Sequence, residues 1–448
     1  MIHQNLYRYT KWLTTGAIIF LQIVLLFFIP RSDFIATFTI FLLLFALYFF
    51  VIKNENIFSF QVCIGLAILL RMLALLSVPA LSDDYFRFIW DGKMTLLHIN
   101  PFKYTPQEYV QAHTATPYLQ QLYKNMNSPE YHTVYPPVMQ FIFTAAAFAG
   151  GNNDRIALIV MKLFIAAAEL GSTRILYLLV KKNNMPVRNI LWYILNPLMI
   201  TELTGNVHFE GVLIFFFLLF LYYMQQEKFF FAAIFFALAV CTKIIPLMLV
   251  PLIMRCIGLK KSLIFSLVSA AIVILLFIPF IDENLIHGMS KSLRLFFHLF
   301  EFNASVFYFT RWVGYFFVDY DIIEEAAPVL AVISFIVILI ISFWPSKKIF
   351  FIEKCLWIFS VYFLFSTMVH PWYIAIIIAL AAISRFRFPL VFSLLILLSY
   401  YPYSMQEYNE DNSLWITAIE YSFLFIFAAW EFFKLKKRRT YFDERSLF

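Results

Sequence analysis

Residues 34–52 read FIATFTIFLLLFALYFFVI, nineteen side chains without a charge, closed by Asp33 before and Lys53 after. A helix needs about 20 residues to cross the hydrocarbon core of a bilayer, and about 17 suffice. The run is therefore a membrane span, and the chain repeats it. Further candidates are 12–29, 57–78, 156–180, 187–201, 209–223, 262–281, 326–344, 349–368, 371–384, 387–401 and 414–433. The stretch 229–257 reads as one long helix or two short ones broken around Thr242–Pro246, and 137–149 is short for a full crossing.

The sum is an all-α, polytopic integral membrane protein of about thirteen or fourteen transmembrane helices. Composition agrees: of 448 residues, 62% are hydrophobic and 14% charged, with mean hydropathy +0.80. Soluble domains carry about a quarter charged residues. Apolar runs fill the length, so residues 1–448 form a single transmembrane domain with no separate soluble one. The four cysteines lie in or beside apolar runs, without metal or disulfide spacing. The N-terminus, basic and aromatic from Tyr7 to Trp12, leads into an apolar stretch without a small-residue cleavage site, so a retained first helix is expected rather than a signal peptide.

The net charge of +7 sits largely in clusters flanking apolar runs: Lys181, Lys182 and Arg188; Lys260 and Lys261; Lys347 and Lys348; Arg385 and Arg387; Lys434 to Arg439. That is the positive-inside pattern, and it argues against a nucleic-acid partner. With the basic loops cytoplasmic, 79–135 and 282–325 fall on one outer face as the first and second outer loops. Two counts compete in the middle. If 137–149 is re-entrant and 229–257 crosses twice, Lys181–Arg188 falls inside, as it should. If 137–149 spans and 229–257 is one helix, that loop is stranded outside. The first is preferred.

Chemistry gathers in the first outer loop. Ser82-Asp83-Asp84-Tyr85-Phe86-Arg87 begins where the third span ends. Adjacent carboxylates at a low-dielectric boundary repel one another, and such a group can take a proton from a hydroxyl. The alternative is a solvated helix cap, since Ser/Asp before an apolar-periodic run is also an N-cap signature. Downstream, Asn100-Pro101-Phe102, Tyr104-Thr105-Pro106 and Tyr135-Pro136-Pro137 suit interfacial helices joined by rigid turns.

Asp84-Tyr85 and these three proline motifs resemble the first outer loop of GT-C superfamily mannosyltransferases, which include bacterial polyprenol-phosphate-mannose-dependent enzymes and the catalytic subunit of eukaryotic GPI mannosyltransferase I. The resemblance continues through Met161-Lys162-Leu163, Leu195-Asn196-Pro197-Leu198, Gly205-Asn206-Val207-His208-Phe209-Glu210, Thr242-Lys243-Ile244-Ile245-Pro246 and His370-Pro371-Trp372-Tyr373, over roughly 80–385. It implies a GT-C-like fold with interfacial helices in the first outer loop. It implies a multi-pass protein of the bacterial inner membrane that moves mannose, by inversion, from a polyprenyl-phosphate donor to a glycan or glycolipid acceptor on the non-cytoplasmic face, among membrane lipids.

Asp84 aligns with the second acid of the family's Asp-x-Asp pattern. Ser82 replaces the first and Asp83 stands between, so the use of a divalent metal is left open and no metal ligand is assigned. Asp84 and Asp83 are the catalytic candidates. Lys243 would hold the donor phosphate, or is a lysine snorkelling at a helix end. His370 would donate to the same phosphate, with Arg87 adding charge, and His208 and Glu210 would bind sugar hydroxyls or form a polar turn. Two other classes stay open: a flippase or transporter of lipid-linked sugars, and a ligase or polymerase using a lipid-diphosphate donor. Asn303-Ala304-Ser305 also matches a glycosylation sequon.

Overall fold

The computed structural model describes residues 2–298, 300–345, 351–405 and 414–445. The basic pair Lys347 and Lys348 lies outside the described residues. Every regular element among those described is a helix, and the one β-bridge joins Phe302 to Met368. Six helices are long and apolar enough to cross a membrane: Asn5–Phe27, Phe34–Lys53, Asp154–Lys182, Leu259–Phe280, Ile323–Phe343 and Leu414–Leu435. Six shorter apolar helices of 10–17 residues accompany them, together with one pair, Pro197–Gly205 and Glu210–Gln225, bent by 111°. The protein is thus an all-α, multi-pass membrane protein.

The first eight helices, in order, are α1 (Ile2–Phe27), α2 (Phe34–Lys53), α3 (Phe60–Leu75), α4 (Tyr85–Leu96), α5 (Pro106–Ala112), α6 (Pro117–Asn125), α7 (Pro137–Gly150) and α8 (Asp154–Lys182). Helices α4 to α6 are the short helices expected of the 79–135 segment. Thr105 and Glu108 open α5 with a reciprocal capping box, and a proline follows the cap in both α5 and α6. Helix α7 lies along α4 so closely that a Cβ at Gly92 would come 2.2 Å from the carbonyl oxygen of Phe143. Both ends of α7 rest near the first loop: Gln140 donates to Asp91 and Thr133, while Asp154, just past its far end, accepts from Tyr118.

Several apolar runs are broken where the sequence names a cause. The stretch 229–257 is two helices, Phe229–Val240 and Ile245–Ile257, parted before Pro246, which has no N–H to give. The expected span 187–201 is four short pieces ending in a π-helical turn, Ile200–Gly205. Asn196 caps Pro197–Met199, and Val207 has a left-handed φ of 62°. Irregular backbone at membrane depth needs protein cover, and every residue from 193 to 214 is buried.

Buried charge ties this broken segment to its neighbours. Arg71 on α3 meets Glu169 on α8 at 2.6 Å, both essentially without exposure, and also donates to the Ile194 carbonyl. Thr204 donates to the second oxygen of Glu169. Lys162 turns its ammonium onto the carbonyls of Ala74 and Ser77, closing the C-terminal end of α3.

Candidate functional site

The chain leaves α3 and reaches Asp83 and Asp84 just before α4. Asp84 occupies the N-cap position of α4, yet its carboxylate makes no capping hydrogen bond. It accepts instead from Asn127, past α6, at 3.0 Å. The helix-cap alternative is therefore not how this side chain is used. Asp83 turns the other way and pairs with Arg31, in the loop between α1 and α2, at 2.9 Å. The two carboxylates thus differ: Asp83 has a cation, and Asp84 has an amide. Both are half-buried.

The Asp84 charge reaches two tyrosines. Burial, and after it the Asp84 carboxylate, pushes the Tyr135 hydroxyl well above its ordinary value. The same carboxylate acts on Tyr373, whose ring lies 3.6 Å from the Lys243 ammonium. Lys243 pairs with Glu210 at 2.5 Å and remains 29% exposed, so its charge is reachable. The break before Pro246 positions the cation, and Glu210 opens the second half of the bent pair.

A file of stacked rings runs beside these groups. His208 stacks on Trp372 at 3.6 Å, Trp372 on His370 at 4.5 Å, and His370 on Phe302 at 4.4 Å. The bonds Phe302 N–H to Thr367 and Val369 N–H to Phe302 hold this part of the 282–325 segment against the His370 turn. His208 Nδ1 contacts Glu202, which also accepts from Tyr400. His208 Nε2 and His370 Nδ1 have no hydrogen-bond partner among the described residues. Desolvation, with His208 and Lys243 nearby, lowers His370 to about 3, so the ring is neutral.

Lys243, Glu210, His208 and His370 thus come together through Tyr373 and the ring file, with the Asp84 charge reaching Tyr373, while Asp83 joins through Arg31, which lies on the Tyr403 ring beside Phe302. Arg87 is buried behind them, with Nε on Asp91 at 2.9 Å and Nη1 on the Tyr131 carbonyl at 2.8 Å. Thr133 and Gln140 complete the Asp91 carboxylate, so Arg87 braces α4, while its Nη2 has no hydrogen-bond partner among the described residues. Sequence reasoning missed Arg31, Asn127 and the Glu202–Tyr400 pair. Arg31 had one signal, a polar Pro30-Arg31-Ser32-Asp33 turn between two spans on the side expected for Asp83.

Asn303 is buried and its amide donates to Glu420, so the sequon asparagine is packed inside. In the same second outer loop Trp312 is exposed beside Phe309 and Phe316. Among the described residues no three His, Cys, Asp or Glu side chains gather as a metal site.

No curated relative matches the chain. Residues 32–258, half of its length, match the MptA_B family, described as alpha-(1->6)-mannopyranosyltransferase, N-terminal domain. That interval carries Asp83, Asp84, His208, Glu210 and Lys243 on a multi-pass helical frame, and the chain belongs to this family of mannosyltransferases.

Proposed function

We propose that the protein transfers mannose from a polyprenyl-phosphate donor to an acceptor hydroxyl on the non-cytoplasmic face of a bacterial inner membrane, with inversion. Asp84 takes the proton of the acceptor hydroxyl as that oxygen bonds to the anomeric carbon. The bond from the anomeric carbon to the phosphate oxygen breaks in the same step, and polyprenyl phosphate leaves with the electron pair. It is a stable anion, so no strong general acid is needed. Lys243 stabilises the charge that gathers on the phosphate. His208, whose Nδ1 faces the Glu202 oxygens, leaves Nε2 to accept from a sugar hydroxyl, and His370 brings its Nδ1 to the donor. Inversion of a β-linked donor yields an α-linkage, in keeping with the family's description, and the 1→6 linkage is proposed on the same ground.

The observation that carries this reading is a half-buried carboxylate, Asp84, with no cation bonded to it among the described residues, and a part-exposed ammonium, Lys243, on the Tyr373 ring within reach of the Asp84 charge. The embedded frame fits the donor: a long polyprenyl tail stays in the bilayer, so the site must come to it. Purified protein should release polyprenyl phosphate from synthetic polyprenyl-phosphate mannose and not from the glucose analogue. Asp84→Asn keeps size and hydrogen bonding but cannot take the proton, and turnover should fall about 10²-fold or more with donor binding retained. Wild-type turnover in Asp84→Asn removes the base assignment. No release from either donor turns the reading toward transport of a lipid-linked sugar.

A further inference from the structure

We propose that Asn206 is a positioning residue for Asp84, tying the backbone that leads to that carboxylate to the segment that carries His208 and Glu210. The assignment rests on the reading of Asp84 as base.

Residues 76–84, between α3 and α4, have no regular structure. Such a segment is located by whatever satisfies its backbone polar groups. At its start the Lys162 ammonium holds the carbonyls of Ala74 and Ser77, at 2.8 and 2.7 Å. Further on, a single oxygen, Asn206 Oδ1, accepts from the N–H groups of both Ala80 and Leu81, each at 3.1 Å. The Ser82 hydroxyl then accepts from the Asp84 N–H at 3.3 Å. Only Ser82 and Asp83 separate the Asn206 tie from Asp84.

The other end of Asn206 is fixed as well. Its Nδ2 and its backbone N–H both donate to the Thr201 carbonyl, at 3.1 and 2.9 Å. The Thr201 hydroxyl in turn accepts from Gln22 of α1. Asn206 is 3% exposed, and the accepting and donating ends of its amide are both used, which fixes the side chain's orientation. The chain then turns through Val207, at a φ of 62°, into the site. His208 lies on Trp372, and Glu210 pairs with Lys243. Asn206 is thus the buried point at which the base segment and the donor-binding segment meet, although Ala80 and Asn206 are 126 positions apart. Two further bonds reach the carboxylates, from Arg31 to Asp83 and from Asn127 to Asp84, and both come from side chains that are not buried. Group transfer is sensitive to such a tie, because a displacement of about 1 Å can cost about 10²-fold in rate.

The test is a double-mutant cycle on the full chain in lipid nanodiscs. It is read as the single-turnover rate with synthetic polyprenyl-phosphate mannose and as the equilibrium Kd of that donor. Asn206→Ala should lower the rate about 10²-fold with the donor Kd unchanged, since the backbone bond to Thr201 keeps His208 and Glu210 in place. In the Asp84→Asn background the same change should cost little more, because the group it positions is no longer a base. An unchanged rate in Asn206→Ala overturns the proposal, as does a loss of the same factor in both backgrounds or a loss confined to donor Kd. Should Asn206→Ala not fold, the cycle is run with Asn206→Asp, which keeps the accepting oxygen. No loss, or a loss seen only with Asp84 present, then supports the proposal, and an equal loss in both backgrounds overturns it. A slow Asp84→Asn in which the Asn206 factor persists removes only the role of Asn206. Wild-type turnover in Asp84→Asn removes the base assignment itself.

Discussion

A snorkelling lysine ends in water, whereas Lys243 ends between a carboxylate and an aromatic face. Charge-assisted hydrogen bonds to a buried anion contribute about 1.5–3 kcal/mol, so loss of the ammonium should weaken donor binding at least tenfold. Lys243→Ala alone would strand Glu210, so the comparison is Lys243→Met with Glu210→Gln. Equilibrium binding of polyprenyl-phosphate mannose is the measurement, and an unchanged Kd would leave Lys243 as no more than the counter-ion of Glu210. His370 makes a second prediction. Its folded value of about 3 lies below the ordinary 6.5, so the unfolded chain binds a proton there that the folded chain refuses. Stability should therefore fall as pH drops from 6.5 toward 3, and His370→Gln should blunt that fall in thermal unfolding between pH 7 and 5. These pairings were not legible in the sequence. Arg31 and Asp83 are 52 positions apart, and no periodicity links a residue in one turn to its partner in another. What the sequence did carry was the oddity of ionisable groups, Lys243 and the adjacent Asp83 and Asp84, at the ends of apolar runs.

Among the elements, the apolar runs were legible because hydropathy reports burial from water whether lipid or protein does the covering. Their lengths were not: Phe60–Leu75 and Pro137–Gly150 are apolar on buried faces and on exposed ones (Leu69, Met72, Phe141, Phe148), and they stop short of about 20 residues. Breaks were legible only where proline marks them, as at Pro246, and the π-helical turn at Ile200–Gly205 had no such mark. Helix α7 is the element whose role matters most. On the re-entrant count, cysteines placed at Lys181 and Tyr131 should label from opposite sides of the membrane. Labelling of both from one side removes that count. The seat of α7 on α4 depends on Gly92, where the Cβ of alanine would meet backbone that cannot turn aside. Gly92→Ala should destabilise by about 1–3 kcal/mol, seen as a lower unfolding temperature in detergent, and should lower turnover by moving Asp84.

In the molecule as a whole, the pair Arg71–Glu169 joins α3, α8 and the broken segment at the centre of the frame. Removing one member leaves a charge without its partner, a loss of about 3–5 kcal/mol. Arg71→Met should accordingly unfold at markedly lower temperature, while Arg71→Met with Glu169→Met should recover much of the difference. The broken segment has a consequence in time as well. Glu202 accepts from Tyr400 and Asn196 donates to Ser393, groups about 200 positions further along the chain. A ribosome makes the polar break long before it makes what closes it, so the nascent protein must keep an open seam in the bilayer until its last helices arrive. An insertion factor that shelters polar groups from lipid has its work between those two moments, and a chain released before residue 393 should be cleared as an unfinished membrane protein.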